Sequence, residues 1–140
     1  MAYVIDSSVL ITIERRGSGL DELRRVLPRR EAESISSISI AELLEGVSNA
    51  DSLERRLQRS RYIETLIEAV PIIPFGLLAA RAHAEINHAL TRAGQRIGAN
   101  DLLIGATAVA YGFTVLTENL RDFHRIPGLS VELPSWEDHA

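Results

Sequence analysis

Four short apolar runs, each followed by a stretch with helical periodicity, constrain the fold of this chain more than any other feature. They are residues 3–6 (Tyr3, Val4, Ile5, Asp6), "ESISSIS" (33–39), "VPIIP" (70–74) and "FTVLT" (113–117). Each is too short for a stable helix, and most are rich in β-branched or aromatic residues. The intervening segments read as helices. Residues 8–15 form a short one, closed by "RRGSG". "LDELRRVL" places Leu20, Leu23 and Leu27 at helical spacing, with Pro28 as its stop. A helix is expected from Ser39 in "SIAELLEGVSNA", then a longer one over 51–69 capped by Asp51, with Leu53, Leu57, Ile63, Leu66 and Ile67 as its buried stripe. "FGLLAARAHAEINHALTRAG" is a long alanine-rich helix ended by Gly94, and "NDLLIGATAVAYG" is a small-residue helix suited to a sandwiched position. "LSVEL" reads as a last, weaker strand. Strands alternating with helices predict an α/β fold whose parallel sheet is covered on both faces. In such sheets ligands bind beyond the carboxyl ends of the strands, where strand order reverses. Asp6 and Thr117 are thereby placed at a functional edge.

Composition narrows the chemistry. The 140 residues fit one domain, 1–140, with no repeat, linker or low-complexity tract. The absence of cysteine excludes disulfides and thiolate catalysis. No apolar run reaches membrane-spanning length, and Asp6 interrupts the layout of a signal peptide, so a cytoplasmic location without membrane association is expected. The chain also has no lysine: all fifteen basic residues are arginine. Walker-type phosphate loops, Schiff-base catalysis and phospho-receiver chemistry lose their usual cation, whereas arginine is the better planar partner for phosphate. Ten arginines lie in residues 1–61 with ten acids; residues 62–140 hold five arginines and nine acids and so supply the net charge of −4. The arginine pairs are either solvated helix faces or a phosphate-binding rim around an acidic site.

Four acidic positions stand out. Asp6 closes the first strand, but Ser7 and Ser8 cap a helix equally well, so capping does not demand an acid there. Asp101 begins an apolar helix beside Asn100, an alternative cap. Glu42 lies one turn into a helix among Ile40, Ala41, Leu43 and Leu44, where a carboxylate is uncommon unless paired or bound to metal. Beyond the fourth strand come Glu118, Asn119 and Asp122, some of which serve a turn or a cap. If these acids converge, two carboxylates about 5 Å apart repel by roughly 3 kcal/mol at an effective dielectric near 20. A divalent cation removes that conflict, and hard oxygen donors suit Mg2+ or Mn2+.

"VIDSSVLI", "SSISIAELLEG" and "NDLLIGATAVAYGFTVLTENLRDFHRIPG" resemble the PIN-domain ribonucleases, and specifically the VapC-type toxins of toxin–antitoxin pairs, over nearly the whole chain. The resemblance implies a three-layer α/β/α fold with a central parallel sheet of four to five strands. It implies a Mg2+- or Mn2+-dependent endoribonuclease acting on RNA by in-line attack of water, leaving a 5′-phosphate and a 3′-hydroxyl. By this resemblance Asp6 and Asp101 are the principal metal ligands, and Glu42 completes the site and helps deprotonate the attacking water. The fourth acid of many relatives falls on Asn119 here, so Asp122, one helical turn on, is the expected substitute. Ser8, Thr117 and Asn119 support the site. A homodimer and a VapB-like antitoxin seated near the helical stretch 39–69 are also implied.

Other readings fare worse. His83, His88, His124 and His139 make no zinc-binding pattern, and Trp136 is expected to pack the tail down. A phosphatase of the haloacid dehalogenase type wants an acid two residues after the first Asp, where Ser8 stands, together with the missing lysine. A catalytically degenerate module that only binds RNA or a partner is hinted at by Asn119 alone.

Overall fold

The computed structural model describes residues 2–136. Among them are five strands, β1 (Ala2–Ile5), β2 (Ala32–Ser36), β3 (Ile72–Ile73), β4 (Thr114–Leu116) and β5 (Val131–Glu132). The helices are α1 (Ser7–Arg15), α2 (Leu20–Arg25), α3 (Ser37–Ser48), α4 (Leu53–Ala69), α5 (Leu77–Arg92), α6 (Ala99–Tyr111) and α7 (Leu120–Phe123). The strands are all parallel, in the order β3-β2-β1-β4-β5. The chain winds outward from β1 to β3, then returns to place β4 on the other side of β1. Strand order therefore reverses between β1 and β4, and the crevice that this topology creates opens beyond Ile5 and Leu116.

Two cores follow from the alternation of side chains along β1. Tyr3 and Ile5 face one side and pack with Val9, Leu10, Leu23, Ile35, Leu43, Ile63 and Leu66, contributed by α1 to α4 and β2. Val4 faces the other side and packs with Ile86, Leu90, Ile104, Ala106 and Phe123, from α5 to α7. The small residues of α6 allow close approach: a Cβ on Gly105 would collide with Ile126 Cδ1. Trp136 packs against the first core under the Arg16 guanidinium, 4.5 Å above its ring, and the Ser135 N–H donates to the Val26 carbonyl at 2.7 Å. Gly94, at φ +67°, ends α5 as its sequence position suggests.

Several boundaries differ from the sequence expectation. β1 ends at Ile5, leaving Asp6 as the residue before α1. The run 33–39 is split: β2 stops at Ser36, whose side chain accepts from the Ile38 N–H and starts α3 two residues before Ser39. Ser52, not Asp51, caps α4 by accepting from the Arg55 N–H at 3.2 Å; Asp51 instead pairs with the Arg55 guanidinium. The expected α4 stripe is only partly buried. Ile63 and Leu66 are buried, whereas Leu53, Leu57 and Ile67 are 72%, 50% and 38% exposed. At 3.6 residues per turn these three fall about 40–120° to one side of Ile63, while Leu66 falls about 60° to the other. The helix turns its Ile63–Leu66 edge to the core and leaves the rest outside; Leu44 of α3 is also exposed.

Candidate active site

The β1–α1 turn places Asp6 in the crevice, 3% exposed. Its backbone is extended before the helix, but its side chain caps no amide. Instead Asp6 Oδ2 accepts from Ser8 Oγ and from Thr117 Oγ1, each at 2.8 Å. Those hydroxyls are themselves oriented. Ser8 Oγ accepts from the Glu118 N–H at 3.2 Å, and Thr117 Oγ1 accepts from the Asn119 N–H at 2.9 Å. A hydroxyl that receives a backbone N–H has its proton free for another acceptor, and here both protons point to one carboxylate oxygen. The Asp6 N–H also donates to the Leu116 carbonyl at 2.9 Å. The turns after β1 and β4 are thus stitched together around Asp6.

Glu42 enters from α3. Ser7 Oγ donates to Glu42 Oε1 at 3.2 Å and lies 3.5 Å from Asp6 Oδ1, so Ser7 bridges the two acids. Burial pushes the Glu42 carboxyl above its ordinary range; the bond from Ser7 opposes this, and the negative charge of Asp6 adds to the rise. Asp101 enters from the first turn of α6. Burial, then the charges of Asp6, Glu42 and Asp122, raise its pKa from 3.8 to about 6, against the hydrogen bond from Asn119. Asn119 Nδ2 donates to Asp101 Oδ2 at 3.1 Å and to Asp122 Oδ2 at 3.4 Å, so the side chains that follow β4 bridge a second acid pair.

The structure therefore gathers Asp6, Glu42, Asp101 and Asp122 at one end of the sheet, tied as two pairs. Among the described residues no three acidic or histidine side chains stand within reach of a single ion as they lie. Nor does any ion pair among the described residues involve these four acids; the arginines that pair do so with Glu14, Glu22, Glu31, Glu33, Asp51 and Glu132. Carboxylate oxygens are the donor type that hard divalent cations prefer, and a cation drawn in among them would reverse the rise at Asp101 and Glu42. Among the described residues, the side chains that hold these acids are neutral donors, the hydroxyls of Ser7, Ser8 and Thr117 and the amides of Asn100 and Asn119, and they leave the negative charge unbalanced.

Glu118 turns outward, its Oε2 accepting from Thr12 Oγ1 at 3.2 Å. His83 meets the Phe75 ring edge-on, His88 and His124 are exposed, and His139 lies outside the described residues. Three contacts were not foreseen from the residues: Ser7 as a bridge to Glu42, Asn100 supporting the Glu42 charge, and Thr12 holding Glu118. The signal for Ser7 was its place beside Asp6; for the other two it was absent, because each contact joins distant segments.

The five-stranded parallel sheet flanked by helices agrees with comparison to known proteins. The chain belongs to the PIN-domain family, whose model matches residues 3–129. Within that family it is similar to ribonuclease VapC1 of Rickettsia felis, with 35% identity over 138 residues, 99% of this chain and 100% of that protein. It is also similar to the tRNA(fMet)-specific endonuclease VapC of Salmonella typhimurium, 35% identical over 133 residues, 94% of this chain and 97% of that one. Among solved structures, VapBC2 from Rickettsia felis bound to a promoter DNA fragment matches with a TM-score of 0.83 and 29% identity, covering 98% of this chain and all of that one. The DNA-bound VapBC from Salmonella typhimurium matches with a TM-score of 0.81 and 28% identity, covering 95% and 98%.

Proposed function

We propose that this chain is an endoribonuclease toxin of the VapC kind, a hydrolase of RNA phosphodiester bonds that depends on Mg2+ or Mn2+ and is neutralised by a VapB-like antitoxin. The observation that supports it most is the buried, hydroxyl-locked Asp6 facing Glu42, Asp101 and Asp122 without a cationic partner, in a chain that matches VapC ribonucleases end to end.

Asp6 and Asp101, joined by Glu42, would hold the divalent ion once their side chains close on it. When bound, that ion neutralises charge on the phosphodiester and makes water more acidic. The residues do the rest. Glu42, raised by burial, takes the proton of the attacking water. Ser8 and Thr117 keep Asp6 from turning away. Asp122, through Asn119, orients water at the outer side of Asp101. Arg15 is exposed, makes no ion pair among the described residues, and lines the same groove as Glu42; it takes a phosphate that flanks the scissile one.

That groove, about 220 Å³ between α1, α3 and α4, is lined by Ile11, Leu43 and Ile63 with Glu14, Arg15 and Arg59. It receives the antitoxin segment, and the exposed Leu44 of α3 and Leu53, Leu57 and Ile67 of α4 serve protein contact, with the antitoxin or in a homodimer. No helix among the described residues is long and apolar enough to cross a membrane, and the cytoplasm, where RNA and antitoxin are found, is the proposed location.

The test is cleavage of total RNA by antitoxin-free protein with Mg2+ or Mn2+, with EDTA, and with Asp6→Ala and Asp101→Asn variants. Discrete fragments that vanish with EDTA and in both variants are expected. Fragments that persist in the variants would remove the proposed site, and a folded, metal-supplied protein that never cleaves would favour the degenerate binding module.

A further inference from the structure

Arg15 accounts for one flank of the acids; the opposite flank, where α6 and α7 begin, carries cations of its own. Arg96 lies in the loop before α6, ahead of Asp101, and Arg121 and Arg125 stand on either side of Asp122. The helical turn runs on past α7, with the His124 N–H donating to the Leu120 carbonyl at 2.8 Å and the Arg125 N–H to the Asp122 carbonyl at 3.2 Å, so Arg121 and Arg125 share a face. Arg125 Nη1 donates to the Arg96 carbonyl at 2.9 Å and fastens the loop to this turn. Among the described residues none of the three is in an ion pair, and Arg96 and Arg121 are exposed.

The arginines at the other end of the sheet are built differently. Arg24 pairs with Glu33, Arg25 with Glu22, and Arg29 with Glu31 and Glu132, where the chain enters β2. A phosphate arriving there must displace a carboxylate, whereas at Arg96 and Arg121 it displaces only water. Beside Arg96, between the end of α5 and the start of α6, is a cavity of about 370 Å³. Leu90, Ile97 and Leu102 give it an apolar floor, and Asn87 and Gln95 bring amides to its rim. Neither amide makes a side-chain hydrogen bond among the described residues; the Thr91 hydroxyl beside them is spent on the Asn87 backbone carbonyl at 2.8 Å. An apolar floor with amides that both donate and accept is the chemistry that receives an unstacked base.

Resting on the ribonuclease reading above, we infer that Arg96 and Arg121 carry the RNA strand away from the acids on the α6–α7 side, and that the cavity beside Arg96 takes one unpaired base. Arg125 positions Arg96 through its carbonyl. The substrate is therefore single-stranded where it leaves the acids, and Asn87 and Gln95 discriminate among bases there.

The test compares two charge-matched variants of the full, antitoxin-free chain, Arg96→Gln with Arg121→Gln and Arg24→Gln with Arg25→Gln. Binding of fluorescein-labelled single-stranded RNA is read by anisotropy in EDTA across a salt series, and KM and kcat are read with Mg2+. The first pair should weaken binding about tenfold or more and flatten the slope of log affinity against log salt by about 1.4, the value for two phosphate contacts on a single strand. Its KM should rise while kcat changes less than about threefold, and the second pair should stay within about twofold of wild type throughout. Asn87→Ala with Gln95→Ala should narrow the spread of affinities among RNAs that differ in one base while leaving the salt slope unchanged. Wild type that cleaves RNA while the two arginine pairs behave alike would overturn the inference and leave the ribonuclease reading intact. An unchanged spread in the amide variant would remove the base site, and equal losses on duplex DNA of the same length would overturn the assignment to unpaired RNA. Folded wild type that neither binds nor cleaves RNA would overturn both readings.

Discussion

The two ends of the acid cluster are built differently. Asp6 is almost wholly buried, directly follows the central strand and has one oxygen fixed by two hydroxyls that are themselves fixed by backbone amides. Asp101 stands on a helix start, is held by one amide, and has a pKa raised to about 6 by burial and by its acidic neighbours. The first acid is an anchor whose direction the fold sets. The second carries the electrostatic cost of the cluster, so it is the acid whose ionisation answers to pH and to cations. The lesson is that hydrogen bonds from neutral donors can aim a carboxylate without balancing its charge.

Removing either end should break activity most. Asp6→Ala and Asp101→Asn are each expected to lower the cleavage rate by about 10³-fold or more, read from initial rates on one RNA substrate. The difference between the ends then shows in stability. Because the Asp101 pKa in the fold lies near 6, above its ordinary 3.8, the folded protein binds a proton more tightly than the unfolded chain does. Its contribution is complete below the ordinary value and is lost as pH rises through the folded one. The melting temperature of the metal-free protein should therefore fall between pH 5 and pH 7 by a few degrees. Asp101→Asn should flatten that slope, and saturating Mg2+ at pH 7 should raise the wild-type melting point but not the variant's.

A finer test acts on the anchor alone. Thr117→Val removes one of two hydroxyls from Asp6 Oδ2 and the acceptor of the Asn119 N–H, at a cost of about 1–3 kcal/mol in stability by chemical denaturation. Its cleavage rate should drop by about tenfold with little change in KM, since an aimed carboxylate, not substrate binding, is lost. Smallest of all, Thr12→Val releases only the exposed Glu118 and one helical carbonyl bond, and should move stability by less than about 0.5 kcal/mol.

The alternation of strand and helix was legible because apolar runs of three to five residues, prolines and glycines punctuate the chain. What blurred was the start of α3, where Ser36, Ser37 and Ser39 all have the chemistry of a cap and only Ser36 finds the Ile38 amide. The direction of α4 was also hidden. Periodicity shows that Leu53, Leu57, Ile63, Leu66 and Ile67 are apolar, but not which edge the sheet will meet. At the site, residue types were readable: a carboxylate in Glu42's apolar surroundings, and an aspartate where a serine would cap. Their pairing was not, because Ser7 meets Glu42 across 35 residues and Asn119 meets Asp101 across 18. Such contacts are decided by strand order.

That strand order also sets how the site breathes. β1 has partners on both sides, and the Asp6 N–H is bonded into β4. Exposing that amide to solvent exchange requires parting the middle of the sheet, so its deuterium uptake should track global unfolding. The α7 turn has only four helical residues, and its amides should exchange through small local openings. Asp122 can therefore leave and return many times during one lifetime of the folded state while Asp6 stays where β1 put it.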